Sequence, residues 1–168
     1  MRLIKLISAI NERCGKIISW VVVIITLLVV FEVVTRRFFE NPTIWTFDVI
    51  TQMYGIYFVL LIGYALLYDA HVAVDVFYVR FSKRTKAILN IVTYICFFFP
   101  WIFAMIWQGA SLAMTSLMRL ETAFGLFAIP LYPAKIALFI GVVLLFLQGI
   151  CKFSYAIMDL RNCKEGGV

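Results

Sequence analysis

The nineteen residues 49–67 carry no formal charge and run directly into the polar exit Tyr68-Asp69-Ala70-His71. At about 1.5 Å of rise per residue a helix of that length reaches roughly 28 Å, against a bilayer hydrocarbon core of about 30 Å. The stretch therefore predicts a helix that crosses a membrane. Along it Tyr54, Tyr57, Leu61, Tyr64 and Tyr68 recur at spacings of three and four, which gathers rings and hydroxyls on one helical face. Lipid has no use for hydroxyls. That face either packs against other helices of the same chain or is offered to a partner membrane subunit.

Composition extends the reading to the whole chain. With 64% hydrophobic and 14% charged residues among 168, and a mean hydropathy of +1.01, there is too little polar surface for a water-soluble globule. The net charge of +6 would invite a nucleic-acid reading in a soluble protein. Here the basic residues fall between apolar spans, where they report topology, so nucleic acid is not an expected partner.

Taken in order, residues 1–16 place Leu3, Ile7, Ile10 and Cys14 at helical spacing, with Arg2, Lys5, Glu12, Arg13 and Lys16 mostly on other faces. This predicts a short amphipathic interfacial helix leading into a first span at 17–35. The absence of a small-x-small pattern after that span, and the presence of Glu32 and Arg36-Arg37, predict an uncleaved signal anchor. The connection 36–48 holds the turn signal Asn41-Pro42 and an interfacial aromatic, Trp45. The second span is 49–67. In the connection 68–86 a further amphipathic interfacial helix is expected, with His71 and Asp75 one turn apart. A third span at 87–107 contains Pro100, which should kink it. Residues 108–133 should hold the tail of that helix and a turn, and a fourth span covers 134–151, with Lys135 at its entry. The expectation is one all-α integral membrane domain, 1–168, of four transmembrane helices with short interfacial helices.

Lys and Arg distribute unevenly over the segments between these spans. Eleven lie in the N-terminal segment, the second connection and the tail, against three in the first and third connections. By the positive-inside rule both termini and the His71 connection are cytoplasmic.

The remaining residues bear on chemistry. The only histidine, His71, is outside the spans, which argues against haem held between helices. None of the four cysteines forms a Cys-x-x-Cys pair, which argues against a thiol redox centre. No nucleophile with a base sits at mid-membrane, so no enzyme is expected, and neither is a cofactor or a metal site. Glu32, Asp48 and Lys135 are the only ionisable residues near membrane depth, all toward helix ends. Gln52, Asn90 and Gln148 can join helices by hydrogen bonds, and Gly55, Gly63 and Gly141 permit close approach. This pattern suits a scaffold. Two other classes stay open: a small autonomous exporter using Glu32, and a non-transport membrane adaptor.

A family resemblance rests on an ordered set of motifs: Arg37-Phe38-Phe39-Glu40-Asn41-Pro42, Trp45 with Asp48 three residues on, Gly63-Tyr64-Ala65, His71-Val72-Ala73-Val74-Asp75-Val76-Phe77-Tyr78, and Ile129-Pro130-Leu131. Together they resemble the small, Q-type (DctQ-like) membrane subunit of tripartite ATP-independent periplasmic (TRAP) transporters. The family usually has two acids after the tryptophan; here Phe47 precedes Asp48. The resemblance implies a bacterial inner-membrane importer of small organic anions, carboxylates or sulfonates. In it a periplasmic binding protein captures the solute, and a larger membrane subunit moves it coupled to sodium, which binds in that partner. The small subunit is then a fixed brace surrounded by membrane lipids.

On that reading Tyr54, Tyr57, Tyr64 and Tyr68 form part of the partner-subunit interface. Arg36, Arg37, Glu40, Trp45, Asp48 and Arg119 either shape the periplasmic connection, dock the binding protein, or are solvated charges. His71 and Asp75 pin the cytoplasmic interfacial segment or sense pH or a ligand.

Overall fold

Inside lipid every backbone N–H and C=O has to be satisfied within the spanning segment itself, so apolar runs of this length become helices. A computed structural model describes residues 2–40, 43–68, 81–123 and 128–165, and among them every element is helical. In chain order these are α1 (Arg2–Ser19), α2 (Val21–Phe38), α3 (Ile44–Leu67), α4 (Lys83–Thr93), a π-helical segment (Tyr94–Phe98), α5 (Phe99–Arg119) and α6 (Tyr132–Glu165). Four stretches are long and apolar enough to cross a membrane: Ile4–Phe38, Trp45–Leu67, Arg84–Arg119 and Tyr132–Met158. His71, Asp75 and the expected interfacial helix around them, like the Asn41-Pro42 turn signal, lie outside the described residues.

Helix α3 packs on α6, α6 on α5 and α4, and α2 on α3, while α1 lies against both α3 and α6. One end of the bundle carries the α2–α3 and α5–α6 connections and is called the turn end. The other carries the beginnings of α1 and α4 and the end of α6, and is called the terminal end.

The third helix has its expected tail beyond residue 107 and ends at Arg119, the fourth continues past 151 to Glu165, and α1 meets α2 with only Trp20 between them. Trp20 joins them by tight turns, its N–H donating to Ile17 and its carbonyl accepting from Val23, both three residues away. The 36 residues of Arg84–Arg119 make a rod of about 54 Å, well beyond the hydrocarbon thickness. Hydropathy marks only the part in lipid; the helix itself runs on wherever it can pack or be solvated.

Pro100 disturbs its helix as expected, in a specific form. Its ring would clash with the carbonyl four residues back, at Cys96. The turn just before it widens into the π segment, where the Phe99 N–H reaches back five residues to the Tyr94 carbonyl. The extra residue also brings the Phe98 ring over Gly149, where an added Cβ would stand 2.2 Å from the ring.

The core is small. Ile102, Val142 and Leu145 are buried, flanked by Ile62 and Leu66 of α3, Phe98, Phe99, Met105 and Ile106, and Leu138 and Phe146 of α6. Most other large apolar side chains point outward, the arrangement a lipid-embedded bundle requires. The close approach of α3 and α6 depends on Gly141, since a Cβ there would lie 2.7 Å from the Val59 backbone oxygen.

Candidate functional site

At the turn end the last turns of α2 place Glu32 inward. It is buried, and one carboxylate oxygen accepts from Arg36 Nη2 at 2.8 Å, one helical turn on. The other accepts from the Thr43 hydroxyl, whose oxygen is 2.5 Å from that of Thr46. Thr46 is fully buried. Thr43 occupies the N-cap position of α3 yet makes no capping bond with its side chain, because its hydroxyl is spent on Glu32. The cluster ties α2 to α3 across their connection.

A second cluster closes the α5–α6 connection. Lys135 Nζ donates to Glu121 Oε2 at 2.5 Å. The backbone beside it forms a narrow two-sided turn: Leu131 N–H to Glu121 O at 2.8 Å, Ala123 N–H to Ile129 O at 2.7 Å, with Thr122 and Pro130 bridged. Helix α5 ends on Leu120 in the left-handed region, φ 45°, and the Glu121 N–H caps the Ser116 carbonyl.

The Lys135 ammonium bonded to it holds the Glu121 carboxyl below the ordinary carboxylate range. A carboxyl whose folded value is depressed contributes stability above its unfolded value and loses it as the pH falls through the folded one. Protection of the Leu131 amide from hydrogen exchange, corrected for intrinsic rates, should therefore decline on acidification of the native chain. In Lys135→Met the decline should be smaller and lie nearer the ordinary carboxylate pH.

The charged residues expected at this end take the following places. Arg36 belongs to Glu32 on the α2–α3 side, and Arg119 lies beside Glu121 on the α5–α6 side. Arg37 and Glu40 are exposed, with Glu40 at φ 50°, and Trp45 and Asp48 are half-buried in the first turns of α3.

The four tyrosines divide as well. Tyr64 packs against α1, where a Cβ on Gly15 would stand 2.2 Å from its ring, and its ring is 4.9 Å from that of Tyr68. Tyr57 is half-buried on the same side. Tyr54 stands on the open side of α3, its ring 6.3 Å from that of Phe58, and Tyr68, at the helix end, is also exposed. That open side holds Phe47, Thr51, Tyr54, Gly55 and Phe58, all exposed. Beside it a groove of about 250 Å³ runs between α3 and the start of α6, with Gln52, Gly55, Ala134 and Lys135 in its walls. The Gln52 amide nitrogen is buried there with no partner among the described residues, and a Cβ on Gly55 would meet nothing within 4 Å.

At the terminal end, α1 is held by a buried polar pair. Asn11 Nδ2 donates to Gln148 Oε1 at 3.0 Å, and both side chains are fully buried. Nearby Lys16 pairs with Glu12 at 2.6 Å.

Thr43, Thr46 and Asn11 were not singled out by sequence pattern. Only the threonine just ahead of a helix leaves a readable signal, and that signal points to capping. Among the described residues no three His, Cys, Asp or Glu side chains converge as a metal site would require.

Comparison with known families places this arrangement. A family profile described as tripartite ATP-independent periplasmic transporters, DctQ component, matches residues 25–158. No curated protein matches the sequence. The match runs from the second half of the first membrane-crossing stretch to the last residue of the fourth. It takes in both ion-paired connections and the α3 groove, so this multi-pass chain belongs to the DctQ family and is the small membrane subunit of a tripartite transporter.

Proposed function

We propose that this subunit is the stationary member of a sodium-coupled importer in a bacterial inner membrane. It braces a larger membrane subunit that moves a small organic anion, a carboxylate or sulfonate, delivered by a periplasmic binding protein. Both termini face the cytoplasm, since the terminal end carries most of the Lys and Arg. The turn end, with its two ion-paired connections, then faces the periplasm and the binding protein. Sodium and solute bind in the large subunit, and this chain contributes no cofactor.

What carries this reading is the open side of α3. It presents Phe47, Tyr54 and Phe58 around Thr51 and Gly55, next to the groove holding the Gln52 amide, which has no partner among the described residues. Aromatic and small residues around one buried hydrogen-bond donor are what a transmembrane helix needs in a neighbour: close approach and an acceptor to supply. Lipid chains alone would leave the amide unsatisfied. The pairing of Glu32 with Arg36 and Thr43 fits a brace, because it spends the carboxylate on holding two helices together.

A Cβ at Gly55 meets nothing within 4 Å, so Gly55→Leu extends a side chain into the open space beside the groove. Copurification with the large subunit is expected to fall by about tenfold, the equivalent of about 1.4 kcal/mol, while the variant keeps the native thermal stability when purified by itself. Unchanged copurification would place the interface elsewhere.

A further inference from the structure

Helix α1 is fixed in its roll about its own axis. Asn11 is bonded to Gln148, Gly15 is covered by the Tyr64 ring, and the Cys151 thiol lies 4.0 Å from the Ile4 carbonyl. At about 3.6 residues per turn, Ile4, Ile7, Asn11, Gly15 and Ile18 share the face turned to α3 and α6. The opposite face collects Arg2, Lys5, Ala9, Arg13 and Lys16, all exposed. Between the two runs an apolar stripe, Leu6, Ile10 and Ile17, that no part of the described chain covers: Leu6 is 58% and Ile17 72% exposed. Glu12, the sole acid of the helix, lies on the opposite flank and is paired with Lys16.

A cationic face alone is an ordinary solvated surface. An uncovered apolar stripe edging it, on a helix that cannot roll to hide it, needs an apolar phase on one side and anions on the other. An anionic leaflet offers both in that geometry, acyl chains at the stripe and headgroup phosphates at the cations. Trp20, exposed where α1 joins α2, is the residue type that settles at that depth.

We propose that α1 is a binding surface for anionic phospholipid, with Arg2, Lys5 and Arg13 contacting headgroups and Leu6, Ile10 and Ile17 seated among acyl chains. Lipid charge then sets how firmly α1 is held on the bundle. This is independent of which face meets the large subunit.

The test places the purified full chain in nanodiscs of phosphatidylcholine, or of phosphatidylcholine mixed with phosphatidylglycerol, and follows amide hydrogen exchange in α1. Exchange is expected to be slower in the anionic discs by about tenfold or more, each engaged cation contributing about fivefold. The difference should vanish in Arg2→Gln/Lys5→Gln/Arg13→Gln. It should shrink in Ala9→Glu, which adds an anion to the exposed face and leaves the packing face intact, and persist in Arg2→Lys/Arg13→Lys. Equal exchange in the two lipids for the native chain would overturn the proposal. So would a lipid difference that survives both charge-changing variants, or the same slowing by inorganic phosphate in neutral discs.

Discussion

Gly141→Ala is expected to destabilise the bundle by about 1–3 kcal/mol, the usual penalty for forcing a methyl group into a packed contact. The added Cβ would stand 2.6 Å from Val59 Cγ1, 2.7 Å from the Val59 carbonyl oxygen and 3.0 Å from its carbon. A side chain could rotate away; the backbone of a membrane-crossing helix cannot. Helices α3 and α6 must separate, and with them the contacts that Ile62 and Leu66 make on the Val142 and Leu145 core. Thermal unfolding of the purified chain, followed by loss of the monodisperse species, measures the effect. Gly55→Ala is the matched control, because the same methyl there meets nothing within 4 Å. A drop in Gly141→Ala no larger than in the control would show that α3 and α6 do not depend on that contact.

Gln148→Leu is expected to cost about 1–2 kcal/mol, since it strips a buried donor of its acceptor in a setting without water. Asn11 and Gln148 are both fully buried, and the 3.0 Å bond between them is the main polar tie of α1 to α6. In the variant Asn11 Nδ2 keeps only its longer contact to the Leu144 carbonyl, at 3.5 Å, and the Asn11 carbonyl oxygen has no partner among the described residues. The double variant Asn11→Leu/Gln148→Leu should regain most of the loss, because removing both polar groups leaves none unpaired. The double-mutant cycle on thermal midpoints gives the coupling directly. Losses that simply add, with no recovery in the double variant, would mean that the pair is incidental to how α1 is held.

How much of this could be read from the chain differs from element to element. The α3 crossing was legible because nineteen uncharged residues leave a helix no alternative in lipid, and the Pro100 disturbance because a missing N–H has a local effect. The end of α6 was not, since the signal for a helix in water is weaker than the signal for one in lipid, and α6 runs on past its apolar part. The tyrosine periodicity was correct as geometry: the residues do recur on one helical face. Which of them would be covered depended on α1, which arrives from more than forty residues away in sequence to lie on Tyr64.

The charged residues make the same point. Glu32 and Arg36 are one helical turn apart and could be paired from spacing alone. That Thr43 would abandon its own helix end for Glu32 could not, nor that Lys135 would reach Glu121 rather than the headgroups.

By itself the order of residues determined that this chain is a four-span helical membrane protein and, through its ordered motifs, a resemblance to the Q-type family. Hydrophobicity and backbone satisfaction in lipid are properties each segment carries alone. The tertiary arrangement decided which polar atoms find one another, which glycines are pressed against a neighbour, and that Gly55 is left facing outward beside the buried Gln52 amide nitrogen. Those outcomes depend on distances between segments, and no local pattern encodes a distance.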